Sequence, residues 1–445
     1  MEIDALELCP LDGRYKDIKN KLSPYFSEYA YFKNRVFVEI KWLIYLINNK
    51  LIKYKNKITL IETISDNFNM SSYQRIKEIE SITKHDVKAV EYFIDEELEK
   101  SELSFLKEFV HFGLTSEDIN NTSYALMLKS FLEEVYIPEI QEFLTYLKKI
   151  ASKYKNVVML AHTHGQPATP TTIGKEFKIY FYRLSCEYND LKKLKIKAKF
   201  NGATGNYSAL TIAYPEEDFI KFNKNFIEQE LNLTFNPLTT QIESHDYIVN
   251  ILDKIRHINN IILDLNLDMW LYISKSYFKL EVVKNEVGSS TMPHKVNPIN
   301  FENSESNLET ANSLLVMLSN KLPRSRMQRD LSDSSSLRNL GISFGYSLQG
   351  VKETLKGLKK VKVNKKVLTE ELENEWEVLA EAIQTVLRKY QIPDAYDKLK
   401  QLTRGKKVTK ELLHSYIETL NISKEDKNRL LNLTPSTYIG LANKL

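Results

Sequence analysis

Apolar residues stand at Ile248, Ile251, Ile255, Ile258, Ile262, Leu265, Met269 and Tyr272, in steps that alternate between three and four. That spacing is the heptad seam of a helix packed against other helices rather than against a sheet. The seam lies within residues 238–287, a stretch with no Gly and no Pro. At 1.5 Å per residue, one helix there is expected to run to roughly 50 Å or more. Helices of that length are rarely stable alone, so the seam predicts a bundle axis whose core is shared between subunits. Helical patterns flank it over residues 119–160, with Pro138 as a kink or break, and over 171–199, with Thr171 or Thr172 as N-cap. Two more cover 301–322 and 337–358.

These patterns predict an all-α fold of three helical domains. Residues 1–114 form an N-terminal domain entered through a Pro/Gly-marked segment at 10–15. Residues 115–365 form a central, elongated long-helix bundle. Residues 366–445 form a C-terminal domain of shorter amphipathic segments broken by Pro393, Gly405 and Pro435. Composition agrees: the 445 residues include only 13 Gly and 12 Pro. Average usage would give about twice as many, and a sandwich or barrel needs its Gly/Pro turns.

Charge and cysteine content remove other classes. A net charge of +4 is too weak to imply nucleic acid. The lysine-rich run 351–368 has no interleaved aromatic residues, so it reads as a solvated helix face. Cys9 and Cys186 form no C-x-x-C pair, which fits a reducing compartment. The N-terminus carries acid where a signal peptide would carry base, and no run of 18 apolar residues exists. A cytoplasmic protein with no membrane partner is expected.

Five segments are dense in residues that make poor helix interiors: Asp12-Gly13-Arg14-Tyr15, Lys84-His85-Asp86, Thr115-Ser116-Glu117-Asp118, Thr163-His164-Gly165-Gln166-Pro167 and residues 288–298. Such loops, held by a rigid scaffold, commonly build binding sites. In the last segment Gly288 ends the Gly/Pro-free span, and Pro293 and Pro298 stiffen the chain around Lys295 and Asn297. Hydroxyls, a cation and a carboxamide are presented together, and spacing alone does not choose between Ser289 and Ser290. His162 and His164 supply at most two metal ligands with no third fixed nearby, so no metal is expected; His164 is the better general acid and His162 the structural residue. There is no Walker A sequence, no dinucleotide fingerprint and no G-x-S-x-G elbow.

Gly288-Ser289-Ser290-Thr291-Met292-Pro293-His294-Lys295-Val296-Asn297-Pro298 resembles the GSSxMPxKxNP signature of the fumarase/aspartase superfamily, whose members eliminate fumarate. The segments at 84–91, 115–120, 163–170 and 239–243, with Asp12-Gly13-Arg14-Tyr15, are similar to those of the bacterial, purine-biosynthetic adenylosuccinate lyases. The resemblance covers about residues 10–440. It implies β-elimination of fumarate from adenylosuccinate to give AMP, and from the succinyl-carboxamide imidazole ribotide (SAICAR) to give AICAR. It implies Ser289 as base, with Lys295 and Asn297 on the carboxylate that becomes the aci-acid. His164 is then the acid, oriented by Glu302. Substrate binding falls to Arg14, Tyr15, His85, Asp86, Thr115, Ser116, Gln241, Ser290, Asn297, Arg329, Ser334 and Arg338. No metal or organic cofactor is implied. The resemblance also implies that the central bundle assembles into a tetrameric core, with three subunits of the homotetramer contributing to each site. Two other readings stand beside it. An argininosuccinate lyase would carry a different segment at 115–118, and a silent helical scaffold would lack Ser289, His164 or Lys295.

Overall fold

The computed structural model describes residues 7–54, 58–101, 103–281, 291–292, 295–403 and 408–445. The chain opens with α1 (Lys16–Phe26), α2 (Glu28–Asn48), α3 (Thr59–Asp66), α4 (Met70–Thr83), α5 (Asp86–Glu99), α6 (Ser116–Phe131) and α7 (Ile137–Lys153). A hairpin of β1 (Val158–Thr163) and β2 (Gln166–Thr172) leads to α8 (Ile173–Leu191). Then follow β3 (Lys197–Ala198), α9 (Ser208–Ala213), α10 (Phe219–Asn225), β4 (Thr234–Phe235), α11 (Asp246–Ser274) and β5 (Phe278–Leu280). The remainder is α12 (Ile299–Lys321), α13 (Ser332–Leu337), α14 (Leu340–Lys359), β6 (Val361–Val363), α15 (Lys365–Asn374), α16 (Ala380–Lys389), α17 (Ala395–Thr403), α18 (Lys410–Glu418) and α19 (Lys424–Leu431). The fold is mostly α, and among the described residues its strands pair in twos.

Two compact units share the chain. The first comprises residues 1–140, 187–260 and 305–351; the second comprises 141–186, 261–304 and 352–445. In the first, Trp42 of α2 packs its indole within 5.0 Å of the Phe200 ring and 5.1 Å of Phe226. Phe26, Phe131 and Phe344 form a second aromatic knot, with Phe131 stacked on Phe344 at 4.8 Å. In the second unit, Leu160 of β1 is buried among Leu372, Leu379, Ile383 and Leu387. The base of the hairpin is thereby fixed in the core formed by the C-terminal helices.

Three expectations are corrected here. Helix α11 has 29 residues, about 44 Å at the helical rise, and fills little more than half of the Gly/Pro-free span. His245 before it and Ser276 after it have positive φ, of 63° and 61°, and close the helix without Gly. Second, the heptad seam is covered inside the single chain, from Ile248 through Met269, with only Tyr272 half-buried. The apolar surface α11 leaves exposed is another face, Leu267, Trp270 and Leu271. Third, the helix expected over 119–160 ends at Lys153, because Val158 onward pairs as a strand. Pro138 is accommodated without a break: residues 132–136 form one wide turn in which Ile137 N–H bonds to the Leu132 carbonyl, five residues back. A Pro in the next turn lacks the N–H and crowds the carbonyl four residues before it, which such a turn relieves. The expected cap at Thr172 is observed, its Oγ1 accepting from Lys175 N–H at 3.2 Å.

Candidate active site

The sequence-assigned residues sort by unit. Arg14, Tyr15, His85, Asp86, Thr115, Ser116, Gln241, Arg329, Ser334 and Arg338 lie in the first; His164, Lys295, Asn297 and Glu302 lie in the second. Ser289 and Ser290 lie outside the described residues.

In the first unit one charged and polar chain joins several of these positions. Arg35 is buried on α2, its guanidinium 3.8 Å above the Tyr31 ring. Its Nη2 donates to Asp86 Oδ2 at 2.7 Å and its Nε to Asn120 Oδ1 at 2.9 Å. Asn120 Nδ2 passes the chain to Glu117 Oε1 at 2.8 Å, and Arg329 Nη2 lies 3.0 Å from the same oxygen. Arg329 Nη1 reaches both oxygens of Asp333, at 3.1 and 3.2 Å. His245 Nε2 is 3.2 Å from Asp333 Oδ2. Burial works to raise the Asp86 carboxyl, but the Arg35 charge and hydrogen bond outweigh it and hold it below the ordinary value. Burial likewise opposes ionisation of Asp333, and the His245 bond with the Arg329 charge reverses the balance.

The first-unit loops are fixed by local rules. His85 is the N-cap of α5: its Nδ1 accepts from Lys88 N–H at 3.2 Å. An accepting Nδ1 leaves the neutral ring's proton on Nε2, so the exposed edge presents a donor. Asp86 lies 3.9 Å from His85 Nδ1, as expected for neighbours that point apart, and its close partner is Arg35. Thr115 is the N-cap of α6, and its backbone N–H is held by Asp118 Oδ2 at 2.9 Å. Gln241 Nε2 donates to the Ala203 carbonyl at 2.9 Å. Tyr15 Oη is 3.4 Å from Asn307 Nδ2, and Arg14 is exposed. Arg338, 4.0 Å from Asp86, lines a cavity of about 220 Å³ with Tyr31, Tyr124 and Glu28.

In the second unit, His164 and Gly165 are the two central residues of the β1–β2 turn, with φ of 54° and 74°. Positive φ at both positions is what a two-residue hairpin turn of the I′ type requires. A His held there is uncommon. Among the described residues His164 makes no hydrogen bond or ion pair, and its side chain is exposed at the tip. The ring of His162 has neighbours: its Nε2 lies 2.7 Å from Lys275 Nζ and 3.7 Å from Glu371 Oε1. Burial and the Lys275 charge push it down, so it accepts the ammonium proton as a neutral ring. Glu302 sits in the first turn of α12, where the helix dipole favours it, and accepts from Trp270 Nε1 at 3.1 Å. Within the chain, then, Glu302 is not bonded to His164. Lys295 is exposed and Asn297 half-buried.

A lyase family model matches residues 13–311, and an adenylosuccinate lyase C-terminal model matches residues 325–439. Over its whole length the chain is 48% identical to the adenylosuccinate lyase of Haemophilus influenzae, covering 99% of that protein. The value is 49% for that of Legionella pneumophila, with the same coverages. For that of Escherichia coli it is 47%, over 99% of this chain and 98% of that one. The chain belongs to the adenylosuccinate lyase family. Its fold is shared more widely. The 3-carboxy-cis,cis-muconate lactonizing enzyme of Pseudomonas putida superposes with a TM-score of 0.76 at 18% identity, over 96% of this chain and 94% of that one. The fumarate lyase of Mesorhizobium sp. BNC1 gives 0.76 at 16%, over 96% of each.

Several buried residues that contact the assigned positions of the first unit are not marked by the sequence pattern. Arg35, Glu117, Asp333 and His245 are all buried polar groups. Glu117 lies inside a segment already singled out, but nothing in its spacing marks it as a partner of Arg329. Arg35 and Asp333 had a weak signal only: a charge amid the apolar run of α2, and an acid between assigned Arg329 and Ser334.

Proposed function

We propose that this chain eliminates fumarate from adenylosuccinate to give AMP, and from SAICAR to give AICAR, in purine nucleotide biosynthesis. The observation that carries the reading is its likeness to adenylosuccinate lyases from end to end.

Removing the proton beside a carboxylate places more negative charge on a group already anionic, so a base and fixed positive charge must act together. Ser289 takes that proton as an alkoxide, a role its ordinary hydroxyl can fill only when cations and amides stabilise the oxyanion. Lys295 and Asn297 hold the carboxylate as it becomes the aci-acid. His164 protonates the departing nitrogen, and the hairpin tip presents its imidazole without a competing partner among the described residues. Glu302 orients that ring. Arg14, Tyr15, Arg329, Ser334 and Arg338 receive the nucleotide and its phosphate, Arg being suited to bidentate oxyanion contacts. His85, Asp86, Thr115, Ser116, Gln241 and Ser290 complete the set. No metal or organic cofactor takes part.

A homotetramer with sites shared between subunits fits this reading. Two observations support it: Glu302 and His164 do not bond within one chain, and Leu267, Trp270 and Leu271 leave an apolar face exposed on α11. No helix among the described residues is long and apolar enough to cross a membrane, which fits a cytoplasmic enzyme.

The test is ultraviolet absorbance of adenylosuccinate mixed with the purified chain, with fumarate assayed in parallel and Ser289→Ala as control. Loss of the succinyl-purine spectrum with equal fumarate, absent in the variant, is the expected result. No turnover by a folded tetramer would overturn the reading and direct the assay to argininosuccinate.

A further inference from the structure

We propose that Asp333 is a positioning residue for phosphate recognition, acting through Arg329 and braced from behind by His245. The inference rests on the reading of Arg329 as a phosphate ligand.

Three donors make four contacts with this carboxylate, which is 5% exposed. Oδ1 accepts from the Ser334 backbone N–H at 2.7 Å and from Arg329 Nη1 at 3.2 Å. Oδ2 accepts from Arg329 Nη1 at 3.1 Å and faces His245 Nε2 at 3.2 Å. One side chain therefore sets the placement of two assigned phosphate-binding residues, Arg329 and Ser334. Glu117, 6% exposed, takes the other terminal nitrogen of Arg329 at 3.0 Å and fixes the guanidinium plane. Three contacts thus occupy Nη1 and part of Nη2. Nε–H has no acceptor among the described residues, Nη2 makes only the ion pair with Glu117, and the side chain remains 19% exposed. That edge is the one left for an oxyanion.

The chemistry needs such a device. A free arginine side chain carries much rotamer entropy, and ordering it before the ligand arrives removes that cost from binding. Two carboxylates beside one guanidinium also weaken its pull on a dianion. The two effects have opposite signs, which makes the proposal decidable. If Asp333 only balanced charge, neutralising it would strengthen substrate binding. If it positions Arg329 and Ser334, neutralising it weakens binding while the elimination step keeps its rate.

The experiment compares steady-state kinetics of the full-length enzyme with Asp333→Asn, His245→Asn and Arg329→Gln, alongside thermal melting. Asn suits position 245 because its backbone has φ +63°, which Asn tolerates. Expected for Asp333→Asn are a KM for adenylosuccinate about ten-fold higher, kcat within about two-fold, and competitive inhibition by AMP weakened in parallel. His245→Asn is expected to raise KM about three-fold, and it decides the question if Asp333→Asn does not fold. An unchanged or lower KM in the folded variant overturns the proposal, even with a lowered melting temperature. An unchanged KM in Arg329→Gln would instead sink the reading of Arg329, and so separates the two failures.

Discussion

Asp118 and Lys199 form an ion pair at 2.9 Å in which neither side chain has any solvent exposure. The carboxylate is fully used. It accepts from the backbone N–H groups of Thr115, Asn201 and Gly202, and Lys199 Nζ also donates to the Gly202 carbonyl at 2.9 Å. It thereby joins the start of α6, with Thr115 and Ser116, to the loop on which Gln241 rests through Ala203. Removing one partner leaves an uncompensated buried charge, which costs about 3–5 kcal/mol. Lys199→Met is expected to lower stability by that amount in urea unfolding. Asp118→Asn should do the same and also raise KM, because both loops lose their common anchor.

Gly205 permits no side chain. Its φ is +80°, and a Cβ there would lie 2.2 Å from the Thr239 carbonyl oxygen, a backbone atom that cannot rotate away. Gly205→Ala is expected to destabilise by about 2–4 kcal/mol. It should also raise KM for adenylosuccinate several-fold, because the displaced segment is the one leading to Gln241. Gly165 makes the contrast: its φ is +74° but open space surrounds it, so Gly165→Ala should cost only about 1 kcal/mol. Melting curves of the two variants measured side by side check the ordering.

His111 and Glu39 give a pH dependence with a definite sign. His111 Nδ1 lies 2.6 Å from Glu39 Oε1, and the other Glu39 oxygen is buried with no hydrogen-bond partner among the described residues. Burial pushes the imidazole down, and the Glu39 carboxylate outweighs it, raising His111 from 6.5 to about 9. A pKa raised by folding adds stability that is fully present below about 6.5 and is lost as pH rises through about 9. His111→Asn keeps the left-handed backbone, φ +59°, and leaves Glu39 unpaired. Its deficit against the parent is expected to be about 3 kcal/mol at pH 6.5 and to shrink steadily by pH 10. A deficit constant across that range would contradict the assignment.

Arg35 is the hinge of the polar chain that ends at Asp86. A planar fork serves Asn120 and Asp86 at once, while a single ammonium cannot hold both directions and also stack on Tyr31. Arg35→Lys is therefore not conservative here. It should cost about 2 kcal/mol of stability. It should also let the Asp86 carboxyl rise toward its ordinary value, read by proton titration of the Asp86 side chain.

The seam at 248–269 was legible because helical periodicity acts on every turn, and burial of one face is its direct consequence. Which chain covers that face is not encoded in spacing, so the seam's partner was misassigned. The hairpin was hidden for a local reason. Val158–Leu160 continues an apolar run, and the turn uses His164-Gly165 where Asn-Gly would have announced it. The assigned loops were visible because hydroxyls, Gly and Pro interrupt a helical background. Their supports were not. Arg35 meets Asp86 across 51 residues, and His245 meets Asp333 across 88, separations about which residue order is silent.

The hairpin tip carries a conflict between folding and reactivity. A left-handed backbone favours Gly or Asn, so an imidazole at position 164 is kept against the turn's own preference, by about 1 kcal/mol. A library of this chain sorted for survival of heat alone would therefore drift toward Asn or Gly at 164 and away from turnover. Selection for growth without supplied purines would hold the histidine in place. If His164 is the acid of the proposed mechanism, sequencing the two pools would read out, at one codon, the stability given up for that role.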